Sequence, residues 1–211
     1  MSAKRIVVFG ATGGTGRALV QQALERGHRV TALVRDPDGL PLQHALLKKI
    51  VGDVLQPHTL SAALLGQDAV LCALGRKPFT SEPVCSLGTK NIMEAMAEQS
   101  IRSIIVETSV GVGESLAQCS GFQKFLFRTA LRSYFADKAL QEEYVRHSAL
   151  DWTIVRPVAL TNGPATDSLR ADPDVRFHGF QGPTVSRADV ARFMLDQLEQ
   201  PTFLRQCPIL Y

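Results

Sequence analysis

Seven residues near the start of the chain, Gly10-Ala-Thr-Gly13-Gly-Thr-Gly16, have the composition and spacing of an anion cradle. A phosphate held by backbone N–H groups needs a chain that turns sharply and carries no Cβ at the points of contact. Glycine supplies both. Where such a turn opens a helix, the unpaired N–H groups and the positive end of the helix dipole add to the attraction. The third glycine lets the helix pack closely on the sheet. Glycine triplets alone occur often by chance, so the flanking segments decide. Ile6 to Phe9 is a continuous apolar run, as in a strand buried on both faces, and an amphipathic stretch follows from Gly14 to about Arg26. A plain glycine turn is the competing reading. The strand before and the helix after favour a dinucleotide diphosphate seated on Gly10, Thr12, Gly13, Gly14, Thr15 and Gly16.

The end of the second apolar run bears on which dinucleotide this is. An acidic residue roughly 20 positions past the glycines would bond the ribose 2′-hydroxyl of NAD, whereas an arginine accommodates a 2′-phosphate. Arg35 ends the run Ala32-Leu33-Val34-Arg35, 35 − 16 = 19 residues after Gly16. A guanidinium brackets a phosphate with paired hydrogen bonds and gains much less from a hydroxyl. NADP(H) is therefore expected, with Asp36 next door keeping NAD open. Arg17 could reach the same phosphate, or be an ordinary solvated helix arginine. In Val51-Gly52-Asp53-Val54, Asp53 could accept from an adenine amino group, with Val54 beside it, or could simply close a turn. An open α/β sheet makes its crevice at the carboxyl ends of its strands. Leu74, Gly75 and Arg76, then Ser109, then Pro157 and Val158 are accordingly expected around the nicotinamide. For Leu74 and Val158 a plain strand terminus is a serious rival.

The elements that must position these residues alternate as strand and helix, the pattern of a doubly wound parallel sheet. Strands are predicted at Ile6 to Phe9, Val30 to Val34, Leu47 to Val51, Ala69 to Ala73, Ser103 to Thr108 and Trp152 to Val155. Helices are predicted at Gly14 to Arg26, with Gly27 as its C-cap, at Thr59 to Leu65, Pro83 to Gln99 and Phe122 to Ser148. A last helix, opened by Ser186 and Asp189 as a capping box, runs to Glu199. Residues 161–183 read as loop with a short strand near Val175 to Phe177. One α/β Rossmann-type domain over residues 1–211 is expected, with substrate-pocket loops at about 109–135 and 157–185.

The residues quoted above resemble the atypical short-chain dehydrogenase/reductases, and within them the biliverdin reductase B (flavin reductase) group. The resemblance rests on Val7-Val8-Phe9-Gly10-Ala11-Thr12-Gly13, Leu33-Val34-Arg35-Asp36 and Val51-Gly52-Asp53-Val54-Leu55-Gln56. Gly66 to Val70, Asn91-Ile92, Ala95-Met96 and Phe193-Met194-Leu195 are similar as well, so the likeness runs almost the full length and is strongest in the first hundred residues. It implies NADPH-dependent reduction of flavins and linear tetrapyrroles. Residues 111–134 have no counterpart there, and Lys138 to Pro157 is similar instead to NmrA-like NAD(P)-binding members. The short-chain dehydrogenase pattern of Ser, Tyr and a Lys four residues after the Tyr maps onto Ser109, Tyr134 and Lys138. In the family role the lysine charge lowers the tyrosine pKa, the phenol acts as general acid, and the serine bonds the substrate oxygen. Spacing of four puts Tyr134 and Lys138 on one helix face. A core aromatic beside Phe135 is the alternative for Tyr134.

Lys124, Arg128 and Arg132 would form one row on the long helix, flanked by Phe122, Phe125 and Phe127. The row could belong to a lid over a planar anionic acceptor, or be a solvated basic stripe. Composition narrows the field further. The 211 residues carry a net charge of +3, too little for a nucleic-acid surface, and no apolar run long enough for a membrane span. The four cysteines lack any CxxC pairing and the histidines lack ligand spacing, so reduced thiols, a cytoplasmic setting and no metal are expected. A small-molecule acceptor, flavin, tetrapyrrole or quinone-like, is the expected partner of a monomer or weak homodimer. Two other functions stay open: a non-catalytic NADP(H)-binding sensor of the NmrA-like kind, and a cofactor-retaining epimerase or isomerase.

Overall fold

The first strand, β1 (Arg5–Phe9), is apolar on both faces and sits in mid-sheet, as its sequence requires. The structure is a computed structural model that describes residues 3–75, 82–175 and 183–211. After β1 come α1 (Gly14–Glu25), β2 (Arg29–Val34), β3 (Leu47–Val51), α2 (Ser61–Leu64) and β4 (Ala69–Cys72). They are followed by α3 (Val84–Glu98), β5 (Ser103–Glu107), α4 (Gly121–Arg128), α5 (Arg132–Arg146) and β6 (Asp151–Pro157). The chain closes with β7 (Ala159–Thr161), β8 (Ala171–Asp172), β9 (Thr184–Ser186), α6 (Arg187–Glu199) and β10 (Ile209–Leu210).

The large sheet runs β3-β2-β1-β4-β5-β6-β10-β8, parallel except for β8 against β10. The order reverses between β1 and β4, so a crevice opens there at the carboxyl ends, where Rossmann-type folds bind their ligands. Helices α1 and α6 pack on one face of the sheet, α3 and α5 on the other. Gly27, with φ +80°, follows α1 as expected of a left-handed helix stop. Ser186 caps α6 by accepting from the Asp189 N–H at 2.9 Å.

Two features depart from the sequence reading. The helix expected over residues 122–148 is broken at Thr129–Leu131 into α4 and α5. Phe127 and Phe135 are eight residues apart, about 12 Å along a straight helix, yet their ring centroids lie 4.0 Å apart. The break is what lets the two rings stack. The short pairings β7–β9 and β8–β10 were unexpected, because strands of two or three residues leave no periodicity to read. Of the strand expected near Val175 to Phe177, Val175 is irregular and the other two residues lie outside the described ones.

Candidate active site

A cleft of about 400 Å³ opens at the β1–β4 switch point. Its floor at one end is the turn from Gly10 to Thr15. Gly10 takes φ +79°, and a Cβ there would stand 2.3 Å from the Ala73 carbonyl oxygen. Gly16 lies just below, where a Cβ would come 2.0 Å from the Gly10 carbonyl oxygen, so α1 packs against the turn only because that residue is bare. The cradle thus fits a dinucleotide diphosphate by the steric test proposed for it. Arg35 is exposed on the rim beyond β2, beside Leu33 and Val34. Arg17 is not among the lining residues; it donates to the carbonyl of Gly39, which packs beside Thr12, at 2.9 Å. Val54 lines the cleft, whereas Asp53 does not: its Oδ1 accepts from the Leu55 N–H at 2.9 Å, the geometry of a turn aspartate.

At the other end stand Leu74, Gly75, Tyr134 and Lys138. Lys138 is held by a chain of contacts that begins in α3. Asp137, its neighbour, accepts from the N–H groups of Cys85 at 3.1 Å and Ser86 at 2.9 Å, capping α3 from α5. So anchored, α5 drives the Lys138 side chain into the sheet, where Nζ donates to the carbonyls of Leu74 at 2.7 Å and Glu107 at 2.9 Å. The ammonium bridges the ends of β4 and β5. Burial opposes its charge, but Cys85, Tyr134 and Glu107 around it push its pKa above the usual lysine value.

Ser109 and the residues after β6 are placed differently. Ser109 is not among the cleft-lining residues, and its hydroxyl donates to the Val110 carbonyl at 3.0 Å. Its neighbour Thr108 lines the cleft instead and donates to Glu142 Oε1 at 2.7 Å. Pro157 and Val158 are buried and off the wall, where Leu160 takes their place. Arg76 lies outside the described residues.

Two charged residues on the wall escaped the sequence reading. Glu107 ends β5, buried at the cleft wall, and Oε1 accepts from the Thr15 hydroxyl at 2.9 Å. Burial raises its pKa, against the opposing pull of Lys138, the Thr15 bond and Arg187. The signal was an acid at the end of the otherwise apolar run Ile104-Ile105-Val106. Arg187 opens α6 and reaches across the glycine turn, and nothing in its spacing announced that position.

Beside the cleft, a hollow of about 360 Å³ is walled by Phe127, Phe135, Arg128 and Arg132, with Gly111 as its base. A Cβ on Gly111 would lie 2.5 Å from the Phe127 ring. Tyr134 joins the two spaces: it lines the cleft and meets Phe135 edge to face at 5.5 Å. Lys124, the third member of the basic row, is turned away onto the Ala117 carbonyl at 3.0 Å. Among the described residues no helix is long and apolar enough to cross a membrane, and no group of three or more His, Cys, Asp or Glu stands ready to hold a metal. All four cysteines are free and buried.

The fold and the glycine cradle together define a Rossmann-type dinucleotide-binding protein. Residues 10–201 match the NAD(P)H-binding family, and the chain belongs to it. An uncharacterized chloroplastic protein of Arabidopsis thaliana is 32% identical over 208 residues, spanning 93% of this chain and 72% of its own. The structure of ChuY, an anaerobilin reductase from Escherichia coli O157:H7, is 26% identical with a TM-score of 0.81, over 98% of this chain and 96% of that one. A short-chain dehydrogenase/reductase of Veillonella parvula, solved in complex with NADP, shares the fold at a TM-score of 0.83 and 21% identity, over 99% and 94% of the two chains. These likenesses support the atypical short-chain dehydrogenase/reductase class without singling out its biliverdin reductase B branch.

Proposed function

We propose that this protein is an NADPH-dependent reductase acting on a planar, anionic acceptor, a flavin or a linear tetrapyrrole. The observation that carries the reading is the make-up of one continuous cleft. Glycine turn and Arg35 lie at one end, Tyr134 and Lys138 at the other, and the aromatic hollow opens beside them. The bound cofactor supplies the hydride. The chain's own part is positioning. The turn holds the diphosphate, Arg35 selects the 2′-phosphate, and Gly75 and Leu74 leave room for the nicotinamide end. Phe127 and Phe135 offer a stacking face to a conjugated acceptor, and Arg128 and Arg132 meet its carboxylates or phosphate. Tyr134 provides a phenolic proton where the acceptor needs one, with the Lys138 charge at its side. For a flavin, water can supply that proton. The 26% identity to an anaerobilin reductase supports a tetrapyrrole among the acceptors.

One observation favours a second reading, a non-catalytic NADP(H) sensor. Lys138 is fixed on two backbone carbonyls and the Ser109 hydroxyl on a third, which makes both residues part of the scaffold. The decisive experiment mixes protein and NADPH with FMN, riboflavin, biliverdin and a quinone panel while following absorbance at 340 nm. A reductase consumes NADPH with at least one of the planar anions. Bound NADPH that no acceptor oxidises above background establishes the sensor instead.

A further inference from the structure

The arginine at the first position of α6 is placed against its own helix. A cation at a helix N-terminus meets the positive end of the dipole and is disfavoured there by a few tenths to about 1 kcal/mol. Among the described residues Arg187 makes no ion pair within 4.0 Å, and the carboxylate that feels its charge is the buried Glu107 beyond the turn. The arginine side chain runs instead over the glycine turn. A Cβ on Gly14 would fall 2.4 Å from Arg187 Cδ and 2.7 Å from Nε, so the missing side chain of Gly14 makes the groove in which the arginine arm lies. The guanidinium is also aimed. The β7–β9 register pairs Thr161 with Ser186, which brings the next residues, Asn162 and Arg187, side by side. Arg187 Nη1 donates to Asn162 Oδ1 at 2.6 Å, leaving other donors of the fork facing the cleft that Arg187 lines.

We propose that Arg187 closes over the dinucleotide diphosphate as a cationic grip opposite the backbone amides of the turn, with Asn162 as the positioning residue that orients it. The proposal rests on the reading of this cleft as the dinucleotide site. It gives the small β7–β9 sheet a purpose, since its register sets Arg187 beside Asn162 at the glycine turn. It also divides the work between two arginines: Arg35 recognises the 2′-phosphate that NADPH alone carries, and Arg187 the diphosphate that every such dinucleotide shares.

The test is a set of dissociation constants for NADPH, NADH and ADP-ribose, measured by fluorescence and calorimetry on the wild type, Arg187→Ala, Arg187→Lys and Asn162→Ala. A charge-assisted contact of this kind is worth about ten- to hundredfold in affinity. Arg187→Ala should weaken all three ligands by about that factor and by the same ratio. Arg187→Lys should recover part of the loss as a point charge without a fork, and Asn162→Ala should show a smaller uniform loss. The melting temperature of free Arg187→Ala should hold or rise, because the cation at the helix start is gone. Undiminished binding by Arg187→Ala, or a loss confined to NADPH, overturns the proposal, as does a variant that melts earlier yet binds normally. Wild-type protein that binds none of the three ligands would refute the dinucleotide site itself, a result distinct from equal binding by wild type and variant.

Discussion

Replacing Gly10 by alanine tests the architecture of the phosphate turn at its tightest point. The residue takes φ +79°, a conformation that costs an L-amino acid about 1–2 kcal/mol. The added methyl would also sit 2.3 Å from the Ala73 carbonyl oxygen and 2.7 Å from its carbon, and both atoms are backbone. Relief requires the ends of β1 and β4 to part, an overpacking cost of about 1–3 kcal/mol. The two effects sum to about 2–5 kcal/mol. For a chain of this length each kcal/mol moves the melting temperature by about 2–4 °C, so Gly10→Ala should melt roughly 5–20 °C below wild type. Gly75 supplies the control: it lines the same cleft, but none of the described residues lies within 4 Å of its missing Cβ. Gly75→Ala should stay within about 0.5 kcal/mol of wild type. Thermal melts and urea titrations by circular dichroism read both variants, and NADPH fluorescence reads the cradle. A Gly10→Ala protein that melts within about 2 °C of wild type and binds NADPH undiminished would refute the turn geometry described here.

Further outcomes follow from other parts of the site. Arg35→Asp should raise the NADPH dissociation constant about ten- to hundredfold and leave that of NADH nearly unchanged, since only the former has a 2′-phosphate to lose; equal losses count against the assignment. Glu107→Gln should change the pH dependence of stability. Burial raises the Glu107 pKa in the fold, with Thr15, Lys138, Arg187 and Cys72 facing it, so its neutral form is the one the fold favours. The stability it contributes is complete below the ordinary carboxylate range and is lost as pH rises toward the raised value, whereas the amide of the variant does not titrate. Melting curves across pH should therefore diverge in favour of the variant as pH rises, and a constant offset would contradict the burial. Arg156→Ala should cost about 2–4 kcal/mol in a denaturant titration. It removes the main partner of the buried Glu142 carboxylate, which accepts from Arg156 Nε at 2.9 Å, and leaves it the Thr108 hydroxyl at 2.7 Å and Arg146 at 3.8 Å; a loss under about 1 kcal/mol would show that the pair adds little.

Much of the fold and part of the site were legible in the chain itself. Strands buried on both faces advertise themselves as apolar runs, and β1, β2 and β4 lie within a residue of where those runs placed them. The glycine turn was legible because its physics is local: a sharp bend, an absent Cβ and a helix start are all properties of adjacent residues. The break between α4 and α5 was hidden because Thr129, Ala130 and Leu131 carry no helix-stopping chemistry; the stacking of Phe127 on Phe135 decides it, and that contact exists only in three dimensions. Tyr134 and Lys138 were found by their spacing, but spacing is silent on what a side chain bonds to, and Lys138 proved to bridge two strand ends. Ser109 illustrates the same limit by one residue: past the end of β5 its hydroxyl turns onto the Val110 carbonyl, and Thr108 lines the cleft instead. Arg187 could not be read at all from local pattern, because the strand register that aims it joins residues 25 apart.

The most direct trial of this account is a crystal structure of the protein grown with NADP. The diphosphate should lie against the backbone N–H groups following Gly10, the 2′-phosphate beneath Arg35, and the nicotinamide near Tyr134 and Lys138. Dinucleotide bound elsewhere, or a saturated crystal in which that turn holds only solvent, would contradict it.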